Sequence, residues 1–151
     1  MSFEQFADIQ DFIVIETGVK QALGAFSLAN SMQLSNIKLT LNNTGTPAGN
    51  EKIRINLYST DRYESSFASS DWASISNIDG LTTDWIGWVK LDFNRVGIDS
   101  NEAVYAEIET LNYTRDALNF YLGLGLDWPV SFNSFNTTGG APVAMQIFGY
   151  K

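Results

Sequence analysis

The chain of 151 residues carries 17 acidic and 9 basic side chains, a formal charge of −8, and has no cysteine and no histidine. A chain of this length forms one domain and buries about 70% of its unfolded surface, so its core needs no covalent staples. Disulfides, zinc–thiolate sites, thiol nucleophiles and every catalytic triad built on histidine are excluded, and the negative surplus opposes binding to nucleic-acid phosphates or an anionic membrane surface.

The first residues, Ser2-Phe3-Glu4-Gln5, match a helix capping box, and Phe3, Phe6 and Ile9 fall toward one side of the short helix it predicts. Residues 1–11 are therefore expected to be a helical arm that docks on a partner through Phe3, Phe6 and Ile9, with residues 12–151 forming a single domain. The opening lacks the basic region and apolar run of a secretory signal, so synthesis and use in a cytoplasm are expected, with secretion by a route the sequence does not show as the alternative.

From Phe12 onward the apolar pattern has a period of two. Phe12–Thr17 and Val19–Leu28 are the first strand candidates, and in Ile37-Lys38-Leu39-Thr40-Leu41 apolar and polar residues alternate strictly. After the turn-forming tract Asn42–Asn50 the alternation returns in Ile53-Arg54-Ile55-Asn56-Leu57-Tyr58. Ser59–Leu81 is weakly patterned and is expected to be a long crossing or loop. Val89-Lys90-Leu91-Asp92-Phe93 and Val104-Tyr105-Ala106-Glu107-Ile108-Glu109 alternate again, and Asn119–Leu124 and Val143–Tyr150 complete the series. Successive strand side chains point to opposite faces, so each segment buries one face and wets the other. The prediction is an all-β protein with about 8–9 strands in an antiparallel two-sheet sandwich. A jelly roll is the expected architecture and an immunoglobulin-like sandwich its alternative. No apolar run approaches the ~20 residues of a membrane-spanning helix.

The order of landmarks adds a resemblance. Gly18-Val19-Lys20-Gln21-Ala22-Leu23 precedes Leu34-Ser35-Asn36-Ile37-Lys38-Leu39-Thr40-Leu41, then Gly45-Thr46-Pro47-Ala48-Gly49 and Ile53-Arg54-Ile55. Trp88-Val89-Lys90-Leu91, Ala103-Val104-Tyr105-Ala106-Glu107-Ile108 and Met145-Gln146-Ile147-Phe148-Gly149-Tyr150 follow. From Gly18 to Tyr150 this resembles jelly-roll modules, similar to carbohydrate-binding modules, found in bacteriophage structural proteins and secreted bacterial proteins. Where such modules carry a glycine-rich hairpin and a tryptophan-bearing segment, this chain has Leu124–Pro129 and Asn136–Gly140, and no sugar-contacting residue is carried over. An initiator methionine without a signal sequence makes the chain look more like a virion protein than a module of a secreted enzyme.

Chemistry is weighed residue by residue. Carboxylate pairs such as Glu107 with Glu109, or Asp71 with Asp84, are the raw material of glycoside hydrolysis. Glu107 and Glu109 alternate outward with Tyr105, however, as a solvated strand face does, so no catalytic residue is assigned. Asp99-Ser100-Asn101-Glu102, and Asp61 with Glu64, lack the regular spacing of a calcium loop, so no metal ligand and no cofactor is expected. Three Asn-x-Thr sequons, at Asn42, Asn112 and Asn136, read as an Asn/Thr-rich surface.

The aromatic residues are the main functional signal. Trp72, Trp85 and Trp128 each follow an aspartate in expected loops, and each either anchors its loop or offers an indole to a partner or a sugar. Tyr58 and Tyr105 are expected to point outward from strands as a flat contact surface. With Tyr63 these residues form the expected interface or ligand surface.

The function expected is that of a non-enzymatic bacteriophage structural protein, a capsid decoration (cement) protein or a tail or fibre component. It would be made in the host cytoplasm, reside in the virion, contact the major capsid or tail protein, and form a homo-oligomer, with a trimer as the expected symmetry. A carbohydrate-binding module recognising a polysaccharide is the alternative. Neither reading calls for nucleic acid or membrane.

Overall fold

A computed structural model describes residues 2–5, 9–14, 20–43, 51–74, 85–112, 120–125 and 145–150. Eleven strands run through them: β1 (Ser2–Gln5), β2 (Ile9–Val14), β3 (Lys20–Phe26), β4 (Met32–Asn43), β5 (Lys52–Tyr58), β6 (Ala68–Ser69), β7 (Ala73–Ser74), β8 (Trp85–Ile98), β9 (Val104–Leu111), β10 (Phe120–Gly125) and β11 (Met145–Tyr150). The described residues contain no helix.

The strands form two antiparallel sheets. The first follows the order β1-β11-β4-β10-β2, with β8 on the other edge of β4, and the second has β3-β9-β5 with β6 and β7 on the free edge of β5. β4 is the hub of the first sheet. One edge pairs with β8 from Met32 to Asn43, while the other pairs with β11 from Gln33 to Leu39 and then with β10 from Leu41 to Asn43.

Alternation explains why the two sheets close on each other. Ile37 and Leu39 of β4, Val89 and Leu91 of β8 and Ile147 of β11 meet Ile53, Ile55 and Leu57 of β5 and Val104, Ala106 and Ile108 of β9 in one apolar cluster. Burying such side chains contributes about 1.5–3 kcal/mol each before ordering costs. Phe26 at the end of β3 and Leu28 just beyond it, both fully buried, continue the cluster.

The second sheet is tied to the first at its β6–β7 edge. Ser70 follows β6, donates its backbone N–H to the Ile55 carbonyl at 2.9 Å, and accepts the Ile55 N–H on its hydroxyl at 3.0 Å. Asp71 N–H then donates to the Asp92 carbonyl of β8 at 2.8 Å. The weakly patterned stretch from Ser59 thus holds two short strands, each of two residues, which is too short for any periodicity to register.

The amino terminus corrects the expectation of a helical arm. Ser2–Gln5 is a strand paired with β11, Phe3 opposite Phe148, and Ile9–Val14 is a strand paired with β10, Ile9 opposite Gly125. A helix of barely two turns has a costly nucleus and few internal hydrogen bonds, whereas the edge of β11 offers ready ladder partners. Phe6 lies outside the described residues.

Candidate functional site

The outward residues of β5 and β9 assemble a polar and aromatic surface on the second sheet. Because Ile53, Ile55 and Leu57 point into the core, Lys52, Arg54, Asn56 and Tyr58 point away from it. On β9 the same argument turns Tyr105, Glu107, Glu109 and Leu111 outward. The antiparallel register then sets Arg54 opposite Glu109, Asn56 opposite Glu107 and Tyr58 opposite Tyr105.

These cross-strand pairs bond. Arg54 Nε donates to Glu109 Oε2 at 2.8 Å in an ion pair whose side chains are mostly shielded from water. Asn56 Nδ2 donates to Glu109 Oε2 at 2.8 Å and to Glu107 Oε1 at 3.1 Å, so one amide holds both carboxylates. Tyr58 donates its hydroxyl to Glu107 Oε1 at 2.8 Å, and Ser69 Oγ donates to Asn56 Oδ1 at 2.7 Å. Burial alone would raise the Glu109 carboxyl, but hydrogen bonds from Asn56 and Arg54 and the charges of Arg54 and Lys20 outweigh it and hold the group below its ordinary value. Burial, helped by the hydrogen bond to Glu107, pushes the Tyr58 phenol up to about 12.

Aromatic rings frame the polar strip. The Tyr63 ring meets Tyr58 edge-on at a centroid distance of 5.1 Å and Tyr105 at 6.2 Å. Tyr63 sits at φ 54°, a left-handed conformation that is costly for so bulky a residue and is held by its packing between two strand tyrosines. At the other end, Arg54 Cζ lies 4.3 Å from the centre of the Trp72 ring, so one guanidinium serves both a cation–π contact and the ion pair with Glu109.

The structure brings together four of the six expected surface aromatics: Tyr58, Tyr63, Trp72 and Tyr105. Tyr58 departs from expectation in being only 4% exposed. It does point away from the core, yet Tyr63 covers it. Tyr63, Trp72 and Tyr105 are partly exposed. Trp85 belongs to the first sheet, with its backbone opposite Asn43, and Trp128 lies outside the described residues. The expectation that Glu107 lines a solvated face is corrected too: it is 5% exposed beneath Asn56 and Tyr58.

Arg54, Asn56 and Ser69 escaped the sequence reading, which weighed Glu107 and Glu109 only as a carboxylate pair on a solvated face. Their signal was present: read antiparallel, the outward set Arg-Asn-Tyr of β5 complements the outward set Glu-Glu-Tyr of β9. Asp99–Glu102 forms a turn, in which the Glu102 N–H donates to the Asp99 carbonyl at 3.3 Å. Among the described residues no group of three or more carboxylates is placed to hold a metal ion. No family model, curated protein or solved structure matches the chain.

Proposed function

We propose that the chain is a non-enzymatic structural protein of a bacteriophage virion, a capsid decoration protein or a tail or fibre component, folded as a jelly roll. It meets its partner through the outer face of the β3-β9-β5 sheet. The observation that carries this reading is the cross-bonded network of Arg54, Asn56, Tyr58, Glu107 and Glu109. Such a network is rigid before contact, and the partly exposed Tyr63, Trp72 and Tyr105 rise around it as the aromatic anchors that protein interfaces favour.

In this reading the partner is the major capsid or tail protein, and the module acts as a homo-oligomer, with a trimer as the expected form. The amino-terminal segment with Phe3, Phe6 and Ile9 is a further docking element. Carbohydrate binding is the second reading, favoured by one observation: the Trp72 indole is braced from one side by Arg54 beside an amide and two carboxylates, a composition that suits sugar stacking.

The test combines co-sedimentation with virions and a glycan array. The structural reading expects the protein to co-sediment with intact particles, the Trp72→Ala/Tyr105→Ala variant to be excluded from them, and the array to stay silent. Array binding that is lost in the same variant overturns it in favour of the glycan reading.

A further inference from the structure

The outer face of the first sheet carries a feature of opposite character. Lys38 of β4 and Lys90 of β8 stand directly opposite each other in the ladder, a like-charge cross-strand pair of the kind that is destabilising. The chain as a whole is acidic, so chance crowding of cations is a poor account of this pairing. The two lysines, with Asn36 and Phe148, line a shallow cavity of about 210 Å³. Asn36 is 2% exposed and forms its floor, and Phe148, opposite Asn36 on β11, forms an apolar wall. Lys38 Nζ lies 5.1 Å from the Phe148 ring centre, which fixes one cation at the rim. Lys90 reaches Asp92 at 3.3 Å, so among the described residues two ammonium groups against one carboxylate leave a single positive charge. Further along the same strand, Arg95 Cζ lies 4.4 Å from the Tyr150 ring centre and continues the basic, aromatic strip.

We infer that the cavity between Lys38 and Lys90 binds the carboxylate of a glutamate or aspartate side chain presented by a partner protein. The single net charge matches a carboxylate better than a doubly charged phosphate. The Phe148 wall accepts the methylene groups of an acidic side chain, which an inorganic anion lacks. A sugar acid needs hydrogen-bond partners for several hydroxyls, and among the described residues the lining beyond the two lysines supplies one amide. The carboxylate relieves the Lys38–Lys90 repulsion, so binding and stability are coupled.

The experiment is an NMR titration of the full chain with a capped glutamate (N-acetyl-glutamate N-methylamide), following the lysine side-chain and Phe148 ring signals at constant ionic strength. Capped glutamine, glucuronate and sodium phosphate are the comparison probes. Expected are saturable shifts confined to Lys38, Lys90 and Phe148, absent with capped glutamine and at least about tenfold weaker in Lys38→Gln and in Lys90→Gln. A Lys90→Glu variant places a carboxylate in the site from within and should abolish the response while keeping or raising the melting temperature. The inference is overturned if capped glutamine shifts the same signals, if the lysine variants respond like the parent, or if glucuronate or phosphate binds more tightly than capped glutamate.

Discussion

Tyr58 and Glu107 are joined across the β5–β9 ladder by a 2.8 Å hydrogen bond in which the phenol donates to a carboxylate that is almost wholly buried. Replacing Tyr58 with Phe removes that donor and leaves Glu107 Oε1 with Asn56 alone, at an expected cost of about 1–3 kcal/mol in denaturant unfolding at pH 7. The bond also predicts alkaline behaviour. The folded protein holds the Tyr58 proton up to about pH 12, whereas an unfolded phenol releases it near its ordinary value of 10.0. Stability from this group is therefore intact below pH 10 and is lost as pH rises toward 12. Unfolding curves across that window should fall more steeply for the parent than for Tyr58→Phe.

Arg54 and Glu109 give the acid-side counterpart. The carboxyl is held low in the folded state, so its contribution is present above the unfolded carboxyl range and lost as pH falls through the folded value. Arg54→Gln should destabilise by about 1–2 kcal/mol at pH 7, since the pair is shielded on both sides. The same variant should lie closer to the parent in acid, at a pH below the folded Glu109 value, than it does at pH 7. Urea melts at the two pH values measure the difference directly.

Two glycines are predicted to behave oppositely. A Cβ on Gly149 would stand 2.5 Å from Met32 Sδ and 2.7 Å from the Gln33 carbonyl oxygen, and the second of these is backbone that cannot swing away. Gly149→Ala should cost about 1–3 kcal/mol by forcing β11 off β4. A Cβ on Gly97 meets nothing within 4 Å, so Gly97→Ala should be neutral or stabilise by up to about 1 kcal/mol through the unfolded chain. Thermal melts of the two variants side by side decide the matter.

Deleting residues 2–5 removes β1 and uncovers the edge of β11. The expected loss is on the order of 2 kcal/mol, with protease sensitivity appearing first within Met145–Tyr150. A truncated protein that melts with the parent and resists protease equally would show that β1 adds nothing to the sheet.

The core was largely legible in the sequence, because inward positions of a strand must be apolar and must alternate. Ile37 and Leu39, Ile53 to Leu57, Val89 to Phe93 and Val104 to Ile108 all supply buried residues at the expected spacing. The amino terminus was not legible, since Ser2-Phe3-Glu4-Gln5 satisfies a capping box and a short strand alike, and the partner that decides between them lies at the far end of the chain. The candidate site was half legible. Alternation shows that Tyr58 and Glu107 turn away from the core, but whether water or another side chain lies above them depends on Tyr63, which arrives from a loop without pattern. Burial on the outer face of a sheet is a long-range property that local periodicity does not carry.

The pairing of β4 bears on how the protein can be made. Among the described residues every strand that β4 bonds follows it in the chain, and the last of them is β11 (Met145–Tyr150). During synthesis, therefore, the Gln33–Leu39 edge of β4 stays open until β11 emerges, however early β8 docks on the other. Non-local pairing of this kind slows folding, and an open apolar strand edge is a template for joining other unfinished chains. A chain cut before residue 145 leaves the β11-side edge of β4 unpaired from Gln33 to Leu39 and should collect as insoluble material rather than as a shorter folded domain.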